Sequence, residues 1–358
     1  MPKAENPIVL EDVGPISFED PEPKGKKGAP IFGVGLDVGT MNLVSARRSA
    51  KGVETKRMRD AFLDFPLNAK KMLKLSQTSF VTREDDILIL GDAAMETANI
   101  FGREPRRPLS AGIVSSDEAE SLEVLGILIK HVLGEPKTPG EVCYFSVPAE
   151  PVDAERDIIY HRSVFTRIVE ECGYTPFPSN EAMGIIYSEA AEDGFSGVSI
   201  SFGSGMTNLA LAVNTIEGLT FSVARGGDWI DQGASRSIGS TQARVCAIKE
   251  QGLDLTNPKD RTQEALAFYY KDLINYVLDQ ISVKFKSIEG KFALTKAIPL
   301  IVSGGSSLAG GFMDLFNEVF EARRKKFPIE ISGIRQAKDP LNAVAHGMLV
   351  QALQEGEE

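Results

Sequence analysis

Residues 32–42 read FGVGLDVGTMN, and residues 198–208 read VSISFGSGMTN, a diluted second copy of the first. Each copy is an apolar run, a glycine-bearing turn and a second apolar run, NLVSA after the first and NLALAV after the second. That is a strand–turn–strand pattern, so the glycines belong to a hairpin and not to the mouth of a helix. Glycine lets backbone N–H groups approach an anion closely because it carries no Cβ. Thr40, Ser204 and Thr207 add hydroxyl donors at the same turns. Two such turns facing each other would grip a polyphosphate from both sides. Other phosphate loops do not fit: no GxxxxGK followed by Ser or Thr occurs, and GVGLDVG spaces its glycines wrongly for GxGxxG. A dinucleotide loop would also run into a helix, whereas MNLVSARRSA continues as strand.

At 358 residues the chain has room for a large core, and two domains are expected. Its hydrophobic content of 42% and charged content of 25% suit a soluble globular protein. A net charge of −11 argues against non-specific binding of nucleic acid and of anionic membrane surfaces. It leaves open a small anion held with Mg²⁺ at a local site. Cys143, Cys172 and Cys246 are far apart with no CxxC, which fits a reducing cytoplasm and neither a disulfide framework nor a zinc site. His131, His161 and His346 are equally scattered and read as structural. No apolar run would span or insert into a bilayer, and no signal sequence opens the chain. Residues 1–30, rich in Pro, Glu, Lys and Gly, read as a disordered arm: a solvated tail, or a docking segment for a protein partner. Residues 354–358 read as a frayed acidic end.

In chain order, residues 31–46 form the first hairpin, and residues 47–108 look like a small subdomain inserted in a larger sheet. Within it, SFVTR and DILILG read as strands and residues 92–100 as a helix. Leu122, Leu125, Ile129 and Val132 recur at helical spacing behind a cap at Ser116 or Asp117. EVCYFSVP is a buried strand, and residues 149–173 read as one long helix with Gly173 just beyond its end. A turn at residues 176–180 leads to a helix in EAMGIIYSEAAEDG. After the second hairpin come a strand at 219–224 and the turn RGGDWID, whose helix carries Asp228 and Asp231. Residues 243–289 are largely helical, broken at Asn257-Pro258. A strand at 298–302 runs into SGGSSLAGG and a helix, a place where open backbone and the helix dipole suit a ligand. The final strand and helix, ISGIRQAKDPLNAVAHGMLVQAL, show small residues on one face.

This order of pieces resembles the actin superfamily of nucleotide-binding proteins, which includes actin, the bacterial filament proteins MreB and MamK, and the DnaK-type chaperones. GLDVGTMNLV is similar to its first phosphate loop, SISFGSGMTNLAL to its second, and LIVSGGSSLAGGF to its adenosine motif. PLSAGIV and DPLNAVAHGMLVQAL are similar to the two connecting helices between the lobes, and VPAEPVDAERDII to an MreB segment holding a water-orienting glutamate. The resemblance covers residues 31–353. It implies an α/β, two-lobed actin-like ATPase fold, each lobe a ribonuclease-H-like mixed sheet with flanking helices and a small inserted subdomain. Lobe I would span 31–180, and lobe II 181–353 with a reduced insertion at 240–290.

The resemblance further implies ATP or ADP bound with Mg²⁺ between the lobes. Asp37 would sit near the metal through water, and Glu155 would orient the attacking water. Gly39, Thr40, Met41 and Asn42, with Gly203, Ser204, Gly205, Met206 and Thr207, would hold the phosphates. Gly304, Gly305, Ser306, Gly227, Asp228 and Lys271 would flank the rest of the nucleotide. Two departures stand out: Ser201 occupies the place of an aspartate that opens the second phosphate loop, and Asn208 replaces its closing acid. Hydrolysis is therefore expected to be slow. A filament-forming protein, associating head to tail under nucleotide control, is the first functional reading. A chaperone-like or regulatory ATPase that does not polymerise is the second, and a sugar or acid kinase of the same broad fold the third.

Overall fold

The computed structural model describes residues 32–76, 78–115, 118, 120–287 and 296–355. The arm at 1–30, the cap at Ser116 or Asp117 and the last three residues of the acidic end lie outside them. The first lobe opens with β1 (Gly33–Val38), β2 (Asn42–Ser49) and β3 (Gly52–Arg59), an antiparallel meander. The small sheet follows: β4 (Phe62–Pro66), helix α1 (Lys70–Leu75), β5 (Phe80–Thr82), β6 (Asp86–Leu90) and helix α2 (Asp92–Ile100). A short ribbon, β7 (Leu109–Ser110) with β8 (Ile113–Val114), leads to α3 (Ser121–Leu133). Then come β9 (Val142–Val147), α4 (Ile158–Glu171), β10 (Thr175–Asn180) and α5 (Glu181–Glu189).

The second lobe repeats the plan with β11 (Gly197–Phe202), β12 (Thr207–Val213), β13 (Ile216–Val223), α6 (Gly227–Ile238), α7 (Gln242–Glu250) and α8 (Arg261–Ser287). It closes with β14 (Ile298–Ser303), α9 (Phe312–Glu321), β15 (Ile331–Gln336) and α10 (Ala343–Glu355). The strand orders are β10-β9-β1-β2-β3 and β13-β12-β11-β14-β15. In each sheet an antiparallel meander continues into two parallel strands. The two lobes are thus copies in topology, as the duplicated hairpin announces.

The period-two alternation of β1 explains its glycines. Val34, Leu36 and Val38 enter a core with α3 and α4. Gly33 and Gly35 lie on the other face, where α10 runs flat against the strand. A Cβ on Gly35 would stand 2.1 Å from the Ala345 carbonyl oxygen, so only glycine fits. β11 does the same: Val198, Ile200 and Phe202 enter the second core, while Ser199 bonds the Ala182 carbonyl of α5 at 2.7 Å. Asp37 and Ser201 are the next residues on these two helix-facing sides. α5 and α10 then cross each other at Gly184 and Gly347, where a Cβ on Gly347 would lie 1.8 Å from the Gly184 oxygen.

Several expectations need correction. The connecting pair is α5 with α10; PLSAGIV is the β7–β8 ribbon and no helix. Residues 47–59 finish β2 and form β3 of the large sheet, so the small subdomain begins only at Phe62. Residues 176–180 belong to β10, which tolerates Pro176 and Pro178 because it is an edge strand. The helix expected over 149–173 starts at Ile158, capped by Asp157. Pro151 cannot donate in a helix interior, and the backbone around it is committed elsewhere. Val152 N–H donates to Ser222 at 2.9 Å and Ser222 N–H to Glu150 at 3.1 Å, tying this crossing segment to the edge of lobe II. Between 240 and 287 the chain is α7 and α8 joined by a loop, with no named strand. Among the described residues no helix is long and apolar enough to cross a membrane.

Candidate functional site

The two hairpins close with the same bond at the same offset: Gly39 N–H to the Asn42 carbonyl and Gly203 N–H to the Met206 carbonyl, both 3.1 Å. They face each other across the interlobe cleft. A Cβ on Gly205 would stand 2.5 Å from the Thr40 hydroxyl and 2.3 Å from the Gly112 nitrogen of the ribbon. None of Gly39, Gly203 or Gly205 has a left-handed φ; close approach, and not turn geometry, calls for glycine here. Asp60 buttresses the first hairpin, donating its N–H to the Met41 carbonyl at 3.0 Å while its carboxylate accepts from Leu109 N–H.

Lobe II gathers two more turns onto the second hairpin. Gly227 N–H donates to the Gly203 carbonyl and Asp228 N–H to the Ser204 carbonyl, each at 2.9 Å. Ser306 bonds the Gly203 carbonyl at 3.2 Å, and Ser204 bonds Asp228 at 2.8 Å. Gly304 takes φ +90°, and a Cβ on it would meet the Phe202 backbone oxygen at 2.5 Å. The glycine pair leads into a 3₁₀ turn, Gly305–Leu308, before α9 begins.

These turns surround a cavity of about 490 Å³, within the usual range of small-molecule sites. Asp37, Gly39, Thr40, Met41, Asn42, Gly203, Ser204, Gly205, Met206, Gly227, Gly304, Gly305 and Ser306 all line it. Four predicted residues do not. Thr207 is buried with its hydroxyl on the Arg225 carbonyl at 2.8 Å. Asp228 stands just behind the wall, paired with Arg107 of lobe I at 3.1 Å. Lys271 is exposed on α8 and pairs with Glu318. Glu155 is exposed in the loop before α4.

A carboxylate that does face the cavity beside Asp37 is Glu181, the first residue of α5, which sequence reading passed over. Its side chain accepts from Asn208 Nδ2 at 2.8 Å and from the Ser201 hydroxyl. Burial, and then the neighbouring Asp37 carboxyl, push Glu181 up to about 8. Burial likewise pushes Asp37 up to about 6, against a 2.8 Å hydrogen bond from Ser146. Ser201 and Asn208, which break the family pattern, are thus the residues that hold Glu181. The signal was available as Asn180-Glu181: Asn180 caps α5 through Ala182 and Met183 N–H, fixing the next side chain at the cleft floor. Lys249 and Glu250 of α7 also line the cavity, where Lys271 was expected. Lys249 is held at 2.7 Å by the buried Asp231.

A pair of buried carboxyls, each raised by desolvation, is a site that a hydrated divalent cation would relieve. Among the described residues no group of three or more His, Cys, Asp or Glu forms a metal cage, so such an ion would complete its shell with water and ligand oxygens.

Solved structures show what this fold is. The chain is similar to MamK in its double helical filament, with a TM-score of 0.66, 18% identity, and 92% of this chain and 99% of that one covered. It is similar to MreB5 of Spiroplasma citri bound to AMPPNP, with a TM-score of 0.64, 15% identity and coverage of 92% and 99%. The ethanolamine utilization protein EutJ from Carboxydothermus hydrogenoformans follows at a TM-score of 0.54, 13% identity and coverage of 90% and 91%. The fold is the two-lobed actin-like one. No individual curated protein matches the sequence. The sequence pattern of the Volactin family matches residues 32–352, nearly the whole described chain, and this protein belongs to that family.

Proposed function

We propose that the protein binds ATP or ADP with Mg²⁺ in the interlobe cleft and that the bound nucleotide controls head-to-tail self-association. One observation carries this reading: the duplicated hairpins face each other across a cavity lined by the Asp37–Glu181 pair. MreB5 is bound to AMPPNP in one structure and to ADP in another, and MamK forms a filament, which supports the same assignment here. The hairpin backbones and the hydroxyls of Thr40 and Ser204 would hold the β- and γ-phosphates, and Gly304, Gly305 and Ser306 the adenosine side. Asp37 would hold Mg²⁺ through water, and the ion would supply charge neutralisation at the phosphate oxygens. Glu181, and not Glu155, would orient the attacking water. Turnover would be slow, because Ser201 brings a hydroxyl where its counterpart in the first lobe is Asp37. The three free cysteines suit a reducing compartment.

MgATP at a hundredfold excess over its dissociation constant should stabilise the protein by about 2.7 kcal/mol. Gly305→Val should abolish that shift without unfolding the chain, since a Cβ there meets only Leu341, at 3.5 Å. A wild-type melting temperature indifferent to nucleotide would sink the binding assignment. Sedimentation and electron microscopy with MgATP should show a pelletable, filamentous species, as heterologous contacts that do not close generate open strands. A strictly monomeric protein under those conditions would favour a regulatory ATPase acting on partners, a reading that the small α7–α8 insertion supports.

A further inference from the structure

Five of the twelve large apolar side chains left exposed among the described residues crowd into one small subdomain: Leu67, Met72, Leu75, Ile100 and Phe101. Leu75 is 87% exposed and Ile100 78%. Leu75 and Ile100 end their helices, but both helices are anchored. Leu73 is buried in a cluster with Phe65, Ala94 and Ala98, so α1 is pinned and its outer side chains are presented from a fixed helix. Phe101 packs edge-on against Phe65 at 5.2 Å, which places the end of α2 over the same cluster. Residues 67–76 read LNAKKMLKLS, with Lys70, Lys71 and Lys74 and no acid. Lys71 and Lys74 are exposed, and among the described residues neither is held in an ion pair.

We propose that this face, the 3₁₀ turn Leu67–Ala69 with α1 and the end of α2, docks on an anionic lipid surface. The cations decide between lipid and protein. Protein interfaces enrich Arg, Trp and Tyr, and also the Met and Phe that this face carries, but they deplete Lys, whereas here every cation of α1 is Lys. Lysine stems lie along apolar surface while their ammonium heads reach outward, which suits a headgroup layer above inserted Leu and Met. Most of the net charge of −11 lies beyond the roughly 8–10 Å over which charges act at ordinary salt, and the exposed acids beside the patch in sequence, Glu96 and Glu104, are outnumbered by Lys70, Lys71 and Lys74. One such patch makes a weak, reversible contact. Copies joined in an assembly would add their contacts and hold far more firmly. The proposal stands apart from the nucleotide site and does not rest on it.

The test is flotation of the full-length protein, dilute and without nucleotide, with vesicles of phosphatidylcholine alone or mixed with an equal part of phosphatidylglycerol. Binding is expected only on the anionic vesicles, weakening as salt rises. The double substitution Lys71→Glu/Lys74→Glu should cut partitioning by at least about tenfold. Leu75→Ser should weaken it several-fold while leaving the salt dependence unchanged. Both variants alter exposed positions, and their melting temperatures should match wild type. No wild-type binding, equal binding to neutral vesicles, or binding indifferent to both variants would each overturn the proposal. So would a wild type that ignores vesicles while Lys71→Glu/Lys74→Glu abolishes MgATP-driven pelleting, an outcome that would give this face to a second copy of the chain.

Discussion

In the proposed reaction the chemistry turns on Glu181. Its carboxyl is buried, close to Asp37, and holds its proton up to about pH 8. A protonated acid can position a water but cannot attract its proton, so single-turnover hydrolysis at saturating MgATP should rise with pH, with a midpoint that the bound cation moves below that of the free protein. Glu181→Gln should flatten the profile and lower the upper plateau by about 10²-fold or more, the usual scale of a positioned base. A flat wild-type profile would remove Glu181 from the reaction. The same groups bear on stability without ligand. Their folded pKa values are raised, so the folded state holds protons that the unfolded chain has released. This contribution is complete below the unfolded values near 4 and is lost as pH rises through about 6 for Asp37 and about 8 for Glu181. The melting temperature of the nucleotide-free protein should therefore decline over that window, and less steeply in Glu181→Gln.

At the level of elements, the crossing of α5 and α10 sets how the lobes meet. Adding a methyl at Gly347 would place it 1.8 Å from the Gly184 oxygen, a backbone atom that cannot swing aside. Ala is the better helix former by about 1 kcal/mol, but overpacking two helices costs more, about 1–3 kcal/mol and occasionally beyond. Gly347→Ala should thus lose stability in urea titration. Gly126 of α3 is the control, because a Cβ there meets nothing within 4 Å. Gly126→Ala should gain up to about 1 kcal/mol. Equal effects at the two sites would mean that the crossing is looser than its geometry indicates.

Across the whole molecule, ion pairs bridge the lobes at the cleft. Arg59 at the end of β3 reaches both oxygens of Glu250 at 3.1 Å, and Arg107 reaches Asp228 at 3.1 Å. Arg59 and Glu250 line the cavity and the Arg107–Asp228 pair stands just behind its wall, so both pairs would have to part for the lobes to open. Arg59 and Glu250 are partly exposed, so the bond is weak in itself and sensitive to salt. Arg59→Ala should speed release of a fluorescent nucleotide several-fold in stopped flow. Raising the salt should bring wild type toward the variant. A release rate unmoved by either change would show that the bridge is not part of the exit path.

The duplicated hairpin, the alternation within β1 and β11, and the order of glycine turns were legible in the chain, because strand periodicity and turn chemistry act over a few residues. They sufficed for the two-lobed fold and for most of the cavity wall. The errors came where distant segments compete for the same backbone. Residues 149–157 carry a helical pattern, yet Val152 and Glu150 bond Ser222 of the other lobe, and Glu155 is left outside the cavity. Lys271 has a plausible sequence position, but the face of α8 turns it to Glu318, and Lys249 of α7 takes the cavity. Where Ser201 stands in place of an acid, the structure brings up Glu181, 20 residues earlier in the chain and at hydrogen-bond distance in space. Local pattern named the turns; which side chains meet between them was decided by the packing of two sheets through α5 and α10, a long-range arrangement that no short stretch encodes.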